Sequence, residues 1–167
     1  MKPFRLYLYS QIVRWLPETR FFGLKVKLLR WCGVTIGENV RISSSATFLG
    51  NCNLVIGNNV WIGPRCSFFP TGEGAIVIGD NVDFAPHVTM ITGSHYVSVD
   101  AKQMAGAGWS KTIIIGAGCW LGTRSLVLPG VELASKTVVA AGSVVTTSNK
   151  EGKCLLAGVP ATIKKHY

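Results

Sequence analysis

A hydrophobic residue recurs every six positions along most of this 167-residue chain. The longest uninterrupted series is Ile115, Leu121, Val127, Leu133, Val139 and Val145. The residue four positions after each of these is usually small, such as Cys119 or Ser125. A period of six fits neither the 3.6-residue turn of a helix nor the simple alternation of a long strand. It predicts an all-β solenoid of short strands that turns a corner every six residues, with three flat sides and about five coils.

Composition agrees with a folded, β-rich chain. With 48% hydrophobic and 15% charged residues, the chain is typical of globular proteins rather than disordered ones. Its 19 glycines argue against a helix bundle, because glycine weakens helices. No apolar stretch approaches the roughly 20 residues of a membrane span. Arg5, Arg14 and Arg20 interrupt the apolar runs that a secretory signal needs, so we expect a cytoplasmic protein.

The net charge of +9 is concentrated at the two ends of the chain. Residues 1–30 hold seven basic residues against Glu18 alone, and residues 147–167 hold four against Glu151, whereas residues 31–146 are neutral. A nucleic-acid site needs a basic groove across the folded body with aromatic residues interleaved. This distribution therefore argues against nucleic acid as a partner.

Residues 1–31 differ from the repeat and predict two short amphipathic helices, at about 4–16 and 20–31. Apolar residues at helical spacing are Leu8, Ile12, Trp15 and Leu16, then Leu24, Leu28 and Trp31. The mixture of aromatic and basic residues suits the surface of an anionic membrane. We therefore expect peripheral contact with the inner face of the cell membrane, beside lipid-linked sugars. A cap on the first coil would use the same residues, and the two roles are compatible.

The repeat from residue 32 onward is interrupted in informative places. Two extra residues precede Ile56, four precede Ile78, and a long loop at 92–112 leads to Ile115. A loop of this length on a regular scaffold is usually functional. Its polar and aromatic residues include His95, Tyr96, Asp100, Lys102 and Trp109. Residues 148–167 leave the repeat and predict a C-terminal cap, which completes a domain over 32–167.

Three of the five cysteines, Cys52, Cys66 and Cys119, fall at the small position of the repeat. They are therefore predicted to fill the narrow core rather than to react. The sequence contains no CxxC pair of the kind that binds zinc or performs redox chemistry.

Motifs between about residues 33 and 165 resemble those of the hexapeptide-repeat acyltransferases. They are 78–82 (IGDNV), 85–88 (APHV), 92–95 (TGSH), 115–122 (IGAGCWLG), 128–131 (LPGV), 141–145 (AGSVV) and 157–161 (AGVPA). The chain looks most similar to sugar O-acetyltransferases of the maltose and galactoside type and to their relatives in exopolysaccharide and capsule biosynthesis. The resemblance implies a left-handed parallel β-helix, although crossovers between parallel strands are normally right-handed.

The resemblance also implies a mechanism, because His95 stands at the position of the family's catalytic histidine. A neutral imidazole accepts a proton at cytoplasmic pH, so His95 is expected to act as the general base that activates a sugar hydroxyl against a thioester. The acetyl donor is expected to be acetyl-CoA, with no metal cofactor and no covalent enzyme intermediate. The family forms homotrimers with active sites between subunits, and the resemblance implies the same assembly here.

Matching by motif assigns the donor-binding residues. The expected donor-binding residues are Trp120, Thr123, Ala141, Gly142, Thr146 and Lys165, the last for the phosphates of coenzyme A. The expected acceptor-side residues are Arg65, Asp83, Asp100 and Trp109. Asp83 and Asp100 are also candidates to orient His95. Arg65 stands where the maltose and galactoside enzymes carry an asparagine, so the acceptor is expected to differ from those small sugars.

The number of histidines argues against a zinc site. Only His87 and His95 lie in the repeat, so the three-histidine zinc site of carbonic anhydrases on this solenoid is not expected, and His87 is predicted to be structural. The expected function is acetyl-CoA-dependent O-acetylation of a sugar or glycan hydroxyl in surface polysaccharide biosynthesis. Two alternatives stay open, namely N-acetylation of an amino sugar and a non-catalytic scaffold that retains the fold.

Overall fold

The computed structural model describes residues 1–167 as two helices followed by nineteen short strands. The helices are α1 (Pro3–Val13) and α2 (Phe22–Trp31). The first nine strands are β1 (Thr35–Ile36), β2 (Arg41–Ile42), β3 (Thr47–Phe48), β4 (Leu54–Ile56), β5 (Trp61–Ile62), β6 (Ser67–Phe69), β7 (Ile76–Ile78), β8 (Asp83–Phe84) and β9 (Thr89–Ile91). A hairpin follows, formed by β10 (Gly93–Val97) and β11 (Ala105–Ser110). The remaining strands are β12 (Ile113–Ile115), β13 (Trp120–Leu121), β14 (Leu126–Val127), β15 (Glu132–Leu133), β16 (Val138–Val139), β17 (Val144–Val145), β18 (Cys154–Gly158) and β19 (Ala161–His166).

Three sheets surround one core, because each strand of the repeat pairs in parallel with the strand one coil later. A coil is a successive triplet of strands, one from each sheet. The first sheet has the order β1-β4-β7-β12-β15, the second β19-β18-β16-β13-β8-β5-β2, and the third β17-β14-β9-β6-β3. In the first sheet Ile56 lies between Ile36 and Ile78, so equivalent repeat positions stack on one another. The predicted solenoid of parallel strands with a six-residue register is confirmed.

One cluster of 36 buried hydrophobic residues fills the space between the sheets. Phe48 stacks on Phe68 of the next coil with ring centroids 5.3 Å apart, and Phe84 meets Phe68 edge-to-face at 5.5 Å. Cys66 and Cys119 are fully buried in the same cluster, as predicted for small residues of the repeat.

Cys52 is an exception, and the prediction that it fills the core is wrong. It is half-buried at a corner between the third and first sheets, where its thiol donates to the carbonyl of Gly72. The two residues inserted before Ile56 lengthen this corner. The position that is inward elsewhere in the repeat therefore lies at the edge of the core here.

The first three corners between the first and second sheets combine a glycine with an asparagine two residues later. A Cβ atom on Gly57 would lie 2.7 Å from the carbonyl carbon of Gly79 in the next coil, so only glycine allows the coils to stack this closely. Asn59 takes the left-handed conformation with φ of 55°, which asparagine tolerates better than most residues. Its side chain accepts from Asn39 at 2.9 Å and donates to Asn81 at 3.2 Å. These side chains form a ladder along the corner.

Two cations of α2 close the open end of the first coil. The carbonyls of Ile56 and Ile62 accept from N–H groups of the preceding coil, those of Gly37 and Ser43. The equivalent carbonyls of the first coil, Ile36 and Ile42, have no preceding coil to supply a donor. The Arg30 guanidinium donates to the Ile36 carbonyl at 2.9 Å, and the Lys25 ammonium donates to the Ile42 carbonyl at 3.1 Å. Both cations therefore satisfy strand-edge acceptors that would otherwise lose hydrogen bonds on burial.

Lys25 is fully buried, an unusual location for a lysine. Its ammonium also donates to the carbonyls of Pro17 at 3.1 Å and Glu18 at 2.8 Å, which gives it three acceptors for its three N–H bonds. Burial lowers the pKa of Lys25, and the Glu18 carboxylate opposes that shift. Lys25 thus joins the turn between the helices to the first coil.

The helices cap the first coil. Of the residues expected at helical spacing, Leu16 and Leu28 pack against the core and are partly buried. The buried side of the two helices consists of Leu6, Tyr9 and Val13 in α1, and of Lys25, Val26 and Leu29 in α2. The opposite side, which we call the outer helix face, exposes Phe4, Tyr7, Ile12, Trp15, Phe21, Leu24 and Trp31. Apolar residues occur on both sides of α1, so helical spacing alone did not identify the buried one. Neither helix meets the length and hydropathy that a membrane-spanning segment requires.

At the other end of the solenoid, β18 joins the second sheet beside β16. β19 folds back antiparallel on β18, with Gly158 and Ala161 paired next to the turn. This C-terminal hairpin therefore extends the second sheet beyond the last complete coil. Its own residues Cys154 and Leu156 are buried.

Candidate active site

The insertion predicted as a loop forms the antiparallel hairpin of β10 and β11, at a corner between the third and first sheets. In this hairpin Ser94 pairs with Trp109, and His95 pairs with Gly108. The ring of Trp109 lies 6.1 Å from Tyr96, and the Lys111 ammonium lies 5.5 Å from the centre of its indole. These contacts fix the indole, which lines the same cavity as His95.

A cavity of about 740 Å³ opens between this hairpin and the preceding coil. Its lining residues are Phe69, Thr71, Gly72, Glu73, Ile91, Gly93, Ser94, His95, Gly108, Trp109 and Ser110. The combination of apolar surface with one imidazole and one carboxylate is typical of sites that bind small polar molecules.

The hydrogen bond made by His95 determines which ring nitrogen is free to accept a proton. Its Nδ1 lies 2.8 Å from the carbonyl oxygen of Gly106. A carbonyl can only accept, so Nδ1 carries the hydrogen and, in the neutral ring, Nε2 holds the lone pair. Neither Asp83 nor Asp100 bonds to this imidazole. The group that orients His95 is therefore a backbone carbonyl of the same hairpin.

Glu73 is a site residue that the sequence analysis missed. It lies in the four-residue insertion before Ile78. This interruption of the repeat is the sequence feature that could have indicated a site residue there. The Ser110 hydroxyl accepts from the N–H of Glu73 at 2.8 Å, and the Thr92 hydroxyl accepts from the N–H of Thr71 at 2.8 Å. These bonds tie the insertion to the hairpin and place Glu73 in the wall of the His95 cavity.

A second, more apolar cavity of about 520 Å³ continues from the first across the outside of the third sheet. The two cavities share Phe69, Ile91, Gly93, Ser94 and Trp109, and the second adds Thr89, Leu126, Leu128, Pro129 and Thr146. This groove brings Thr146 together with Trp109. It runs away from His95 along the solenoid.

The other predicted donor residues lie elsewhere on the chain. Thr123, Ala141 and Gly142 occupy corners between the second and third sheets, where the Gly142 N–H donates to the Thr123 carbonyl at 2.8 Å. Trp120 is exposed on the second sheet, and Lys165 is exposed on β19 at the edge of that sheet. None of these five residues lines the His95 cavity. One chain therefore presents His95 and most of the predicted donor residues at different corners.

Among the predicted acceptor residues, only Trp109 lines the His95 cavity. Arg65 lies at a corner between the second and third sheets with φ of 57°, and Asp100 is exposed between β10 and β11. Asp83 pairs with Trp120 in the second sheet. Burial raises the pKa of Asp83, and the positive charge of Arg41 opposes the shift.

The structure gives no candidate metal centre. His87 occupies a corner between the second and third sheets with φ of 64°. No group of three or more His, Cys, Asp or Glu side chains lies close enough together to hold a metal ion.

Cys66 and Cys119, two of the four fully buried cysteines, lie outside the His95 cavity, and their thiols are bound to backbone carbonyls. Cys66 donates to Ala85 at 3.1 Å, and Cys119 donates to Ala134 at 3.3 Å. Burial raises the pKa of the Cys66 thiol to about 11 and also raises that of Cys119. Because the thiolate is the nucleophilic form, both groups are inert at neutral pH.

We expect Cys66→Ala and Cys119→Ala each to lower the free energy of unfolding by on the order of 1 kcal/mol, through lost packing. Turnover should be retained, because neither thiol takes part in the reaction. Urea denaturation and a turnover assay on the same preparations measure both quantities, and half-buried Cys52→Ala serves as the control with a smaller loss. A folded but inactive Cys119→Ala would show that the thiol has a catalytic role.

Comparisons with known proteins agree with the repeat and the fold. A family model described as the hexapeptide repeat of succinyl-transferase matches residues 112–147. Galactoside O-acetyltransferase from Escherichia coli K12 is 30% identical over 147 residues, covering 84% of this chain and 70% of that protein. WcaF from the same organism, named as a colanic acid biosynthesis acetyltransferase, is 33% identical over 139 residues, covering 83% and 72%. A dTDP-4-amino-4,6-dideoxy-D-glucose acyltransferase from Escherichia coli is 31% identical over 153 residues, covering 76% and 79%.

A solved structure supports the same fold over nearly the whole chain. The hexapeptide-repeat acetyltransferase of Vibrio cholerae in complex with acetyl-CoA superposes with a TM-score of 0.73 at 21% identity, covering 98% of this chain and 86% of that one. The galactoside O-acetyltransferase and WcaF are each at least 30% identical to this chain over more than two thirds of their own length. This sequence similarity supports membership of the same family. This chain belongs to the hexapeptide-repeat acetyltransferases.

Proposed function

We propose that this chain is an acetyl-CoA-dependent O-acetyltransferase that acts on a sugar hydroxyl in the biosynthesis of a surface polysaccharide. The observation that carries the proposal is the placement of His95. Its imidazole lies in the wall of a cavity, and its Nδ1 is bonded to the Gly106 carbonyl. The relatives named for galactoside O-acetylation and for colanic acid biosynthesis support the substrate class.

In the proposed reaction His95 moves one proton twice. Acetyl-CoA supplies the acetyl group as a thioester. Nε2 of His95 accepts the proton of the sugar hydroxyl as its oxygen bonds to the acetyl carbon, and the imidazolium returns that proton to the sulfur as the carbon–sulfur bond breaks. The Gly106 carbonyl keeps the ring in the required tautomer and stabilises the imidazolium. The products are a sugar ester and coenzyme A, with no covalent enzyme intermediate.

The residues of the third sheet fit an extended donor. Its outer groove is apolar and ends beside Trp109. At the exposed corner, the Ala141 N–H and the Gly142 carbonyl are available for hydrogen bonds to pantetheine amides, whereas the Gly142 N–H is bonded to Thr123. Lys165, with the neighbouring basic residues of the C-terminal segment, supplies positive charge for the phosphates.

The distribution of these residues supports a homotrimer as the functional unit. His95 lies at the corner between the third and first sheets, and Thr123, Ala141 and Gly142 lie at the opposite corner of the third sheet. We propose that left-handed coils associate so that His95 of one chain faces the donor corner of the next. Trp120 would then flank the groove near the reaction centre.

Glu73 and Trp109 are proposed to hold the acceptor next to His95. The carboxylate accepts hydrogen bonds from sugar hydroxyls, and the indole offers a flat apolar surface to the ring of the sugar. We propose the remaining predicted acceptor residues, Arg65, Asp83 and Asp100, as contacts from a neighbouring chain or with a larger glycan.

We expect Glu73→Gln to lower kcat/KM for the acceptor about tenfold, because hydrogen bonds to a charged partner are stronger than those to an amide. The dissociation constant of coenzyme A should be unchanged. Steady-state kinetics with varied acceptor and calorimetry with coenzyme A measure the two effects. Glu132→Gln, which changes an exposed carboxylate on the first sheet, is the matched control. Equal loss in both variants would contradict the role of Glu73.

The proposed function is tested by incubating the protein with acetyl-CoA and a panel of nucleotide-activated and lipid-linked sugars. Release of the coenzyme A thiol is followed, and products are identified by mass spectrometry. An acetyl group that mild alkali removes is an ester and supports O-acetylation, whereas a resistant amide on an amino sugar establishes the N-acetylating alternative. Absence of thiol release with every acceptor would favour a non-catalytic scaffold.

A further inference from the structure

We infer that the outer helix face docks on a bilayer that contains anionic phospholipid. Large apolar side chains on this face are exposed although the opposite side of the helices already caps the solenoid. Phe4 is 72% exposed, Trp15 82% and Phe21 58%. A helix that is apolar all round is typical of one covered on both sides. The first coil covers only the inner side, so the outer side of α1 lacks a partner within the chain.

The two helices display this face along one continuous strip. Arg5 lies near the start of α1, and Trp31 is the last residue of α2. The Arg5 guanidinium donates to the Trp31 carbonyl at 2.8 Å, so the helices run antiparallel. Phe4 and Trp31 therefore lie toward one end of the pair, and Trp15 and Phe21 lie at the connecting turn. An elongated apolar strip of this kind suits a planar interface better than a concave pocket does.

Backbone strain at Phe21 is a second, independent observation. Phe21 immediately precedes α2 and has φ of 54°, a left-handed conformation that is unfavourable for a bulky residue. Its side chain is mostly exposed, so packing within the chain does not offset this strain. This turn therefore presents an aromatic ring that is left available to a partner outside the chain.

Charge identifies the partner as anionic lipid rather than a second copy of the chain. Residues 1–30 carry seven basic residues and one acidic residue, and Lys2, Arg14, Arg20 and Lys27 are exposed around the strip. The Arg14 guanidinium lies 5.5 Å from the centre of the Trp15 ring, an arrangement of aromatic and basic groups that suits the headgroup region. Residues 31–167 carry ten basic and seven acidic residues, so another copy offers no net negative charge in return.

The test is cosedimentation of the full chain with vesicles of phosphatidylcholine alone and of phosphatidylcholine mixed with phosphatidylglycerol. We expect binding to the anionic vesicles that weakens as salt is raised. The double variant Trp15→Ser/Phe21→Gly should bind at least about tenfold more weakly. Glycine relieves the left-handed strain at residue 21, so the melting temperature of the double variant should not fall. Weaker binding to vesicles then reflects the lost side chains and not unfolding. Tyr167→Ser, which removes an exposed aromatic side chain at the other end of the chain, should bind as the unsubstituted protein does.

Three results would overturn the inference. The first is that the unsubstituted protein stays in the supernatant with anionic vesicles at low salt. The second is a lack of specificity, seen either as equal binding to neutral and anionic vesicles or as a loss of vesicle binding in Tyr167→Ser equal to that in Trp15→Ser/Phe21→Gly. The third is a drop in oligomer mass for Trp15→Ser/Phe21→Gly in solution without vesicles, which would assign the face to contacts between copies.

Discussion

Replacing His95 with asparagine is expected to lower kcat by about 10²–10⁴, the usual contribution of a general base. The asparagine amide can still donate a hydrogen bond to the Gly106 carbonyl, which His95 contacts at 2.8 Å, but it has no basic nitrogen. The hairpin, the oligomeric mass and the affinity for coenzyme A should therefore be preserved. Stopped assays of thiol release, together with calorimetric binding of coenzyme A, measure the two properties separately.

His87→Asn is the matched control for this substitution. His87 lies at a corner with φ of 64°, where asparagine is well tolerated, and it does not line the His95 cavity. Its turnover should stay close to that of the unsubstituted protein. Near-normal turnover in His95→Asn, or a comparable loss in His87→Asn, would contradict the assignment of His95 as the base.

Replacing Lys25 with methionine is expected to lower the free energy of unfolding by about 3 kcal/mol, the largest stability effect that we predict. Methionine fills most of the same volume, but the Ile42 carbonyl then loses its donor at the edge of the first coil, and the carbonyls of Pro17 and Glu18 each lose one. The Ile42 carbonyl is left without a donor, which is costly because burial has removed it from water. The carbonyls of Pro17 and Glu18 keep hydrogen bonds from Ser44.

Lys27→Met is the control, because Lys27 lies two residues away on the same helix and is exposed. Its change in the free energy of unfolding should be within about 0.5 kcal/mol of zero, as for other surface substitutions. Urea denaturation of both variants compares them directly. Equal stability of Lys25→Met and Lys27→Met would show that the three carbonyls do not depend on the ammonium.

The architecture was predictable because the repeat is redundant along the chain. Each coil repeats the same inward positions, so one irregular corner does not obscure the register that aligns Ile56 with Ile78. The exceptions follow the interruptions. Cys52 leaves the core at the corner lengthened by two residues, and Glu73 enters the cavity through an insertion that the hexapeptide pattern does not describe.

Two kinds of feature could not be predicted from the repeat, namely hydrogen bonds to backbone atoms and the side of a helix that packs against the core. The partner of His95 is the carbonyl of Gly106, and every residue carries such a group, so side-chain chemistry pointed instead to Asp83 and Asp100. The buried side of α1 was missed because apolar residues occur on both of its sides, and only packing against Phe48 and its neighbours selects Tyr9 over Ile12.

The most direct test of the proposed mechanism is a single-turnover reaction with labelled acetyl-CoA, quenched at successive times and analysed by mass spectrometry of both the protein and the saccharide. Direct transfer with His95 as base predicts that labelled ester appears on the saccharide as fast as the thiol is released. The protein should never gain the mass of an acetyl group, and His95→Asn should slow both signals together. An acetylated protein that forms and then decays as the ester appears would contradict the account.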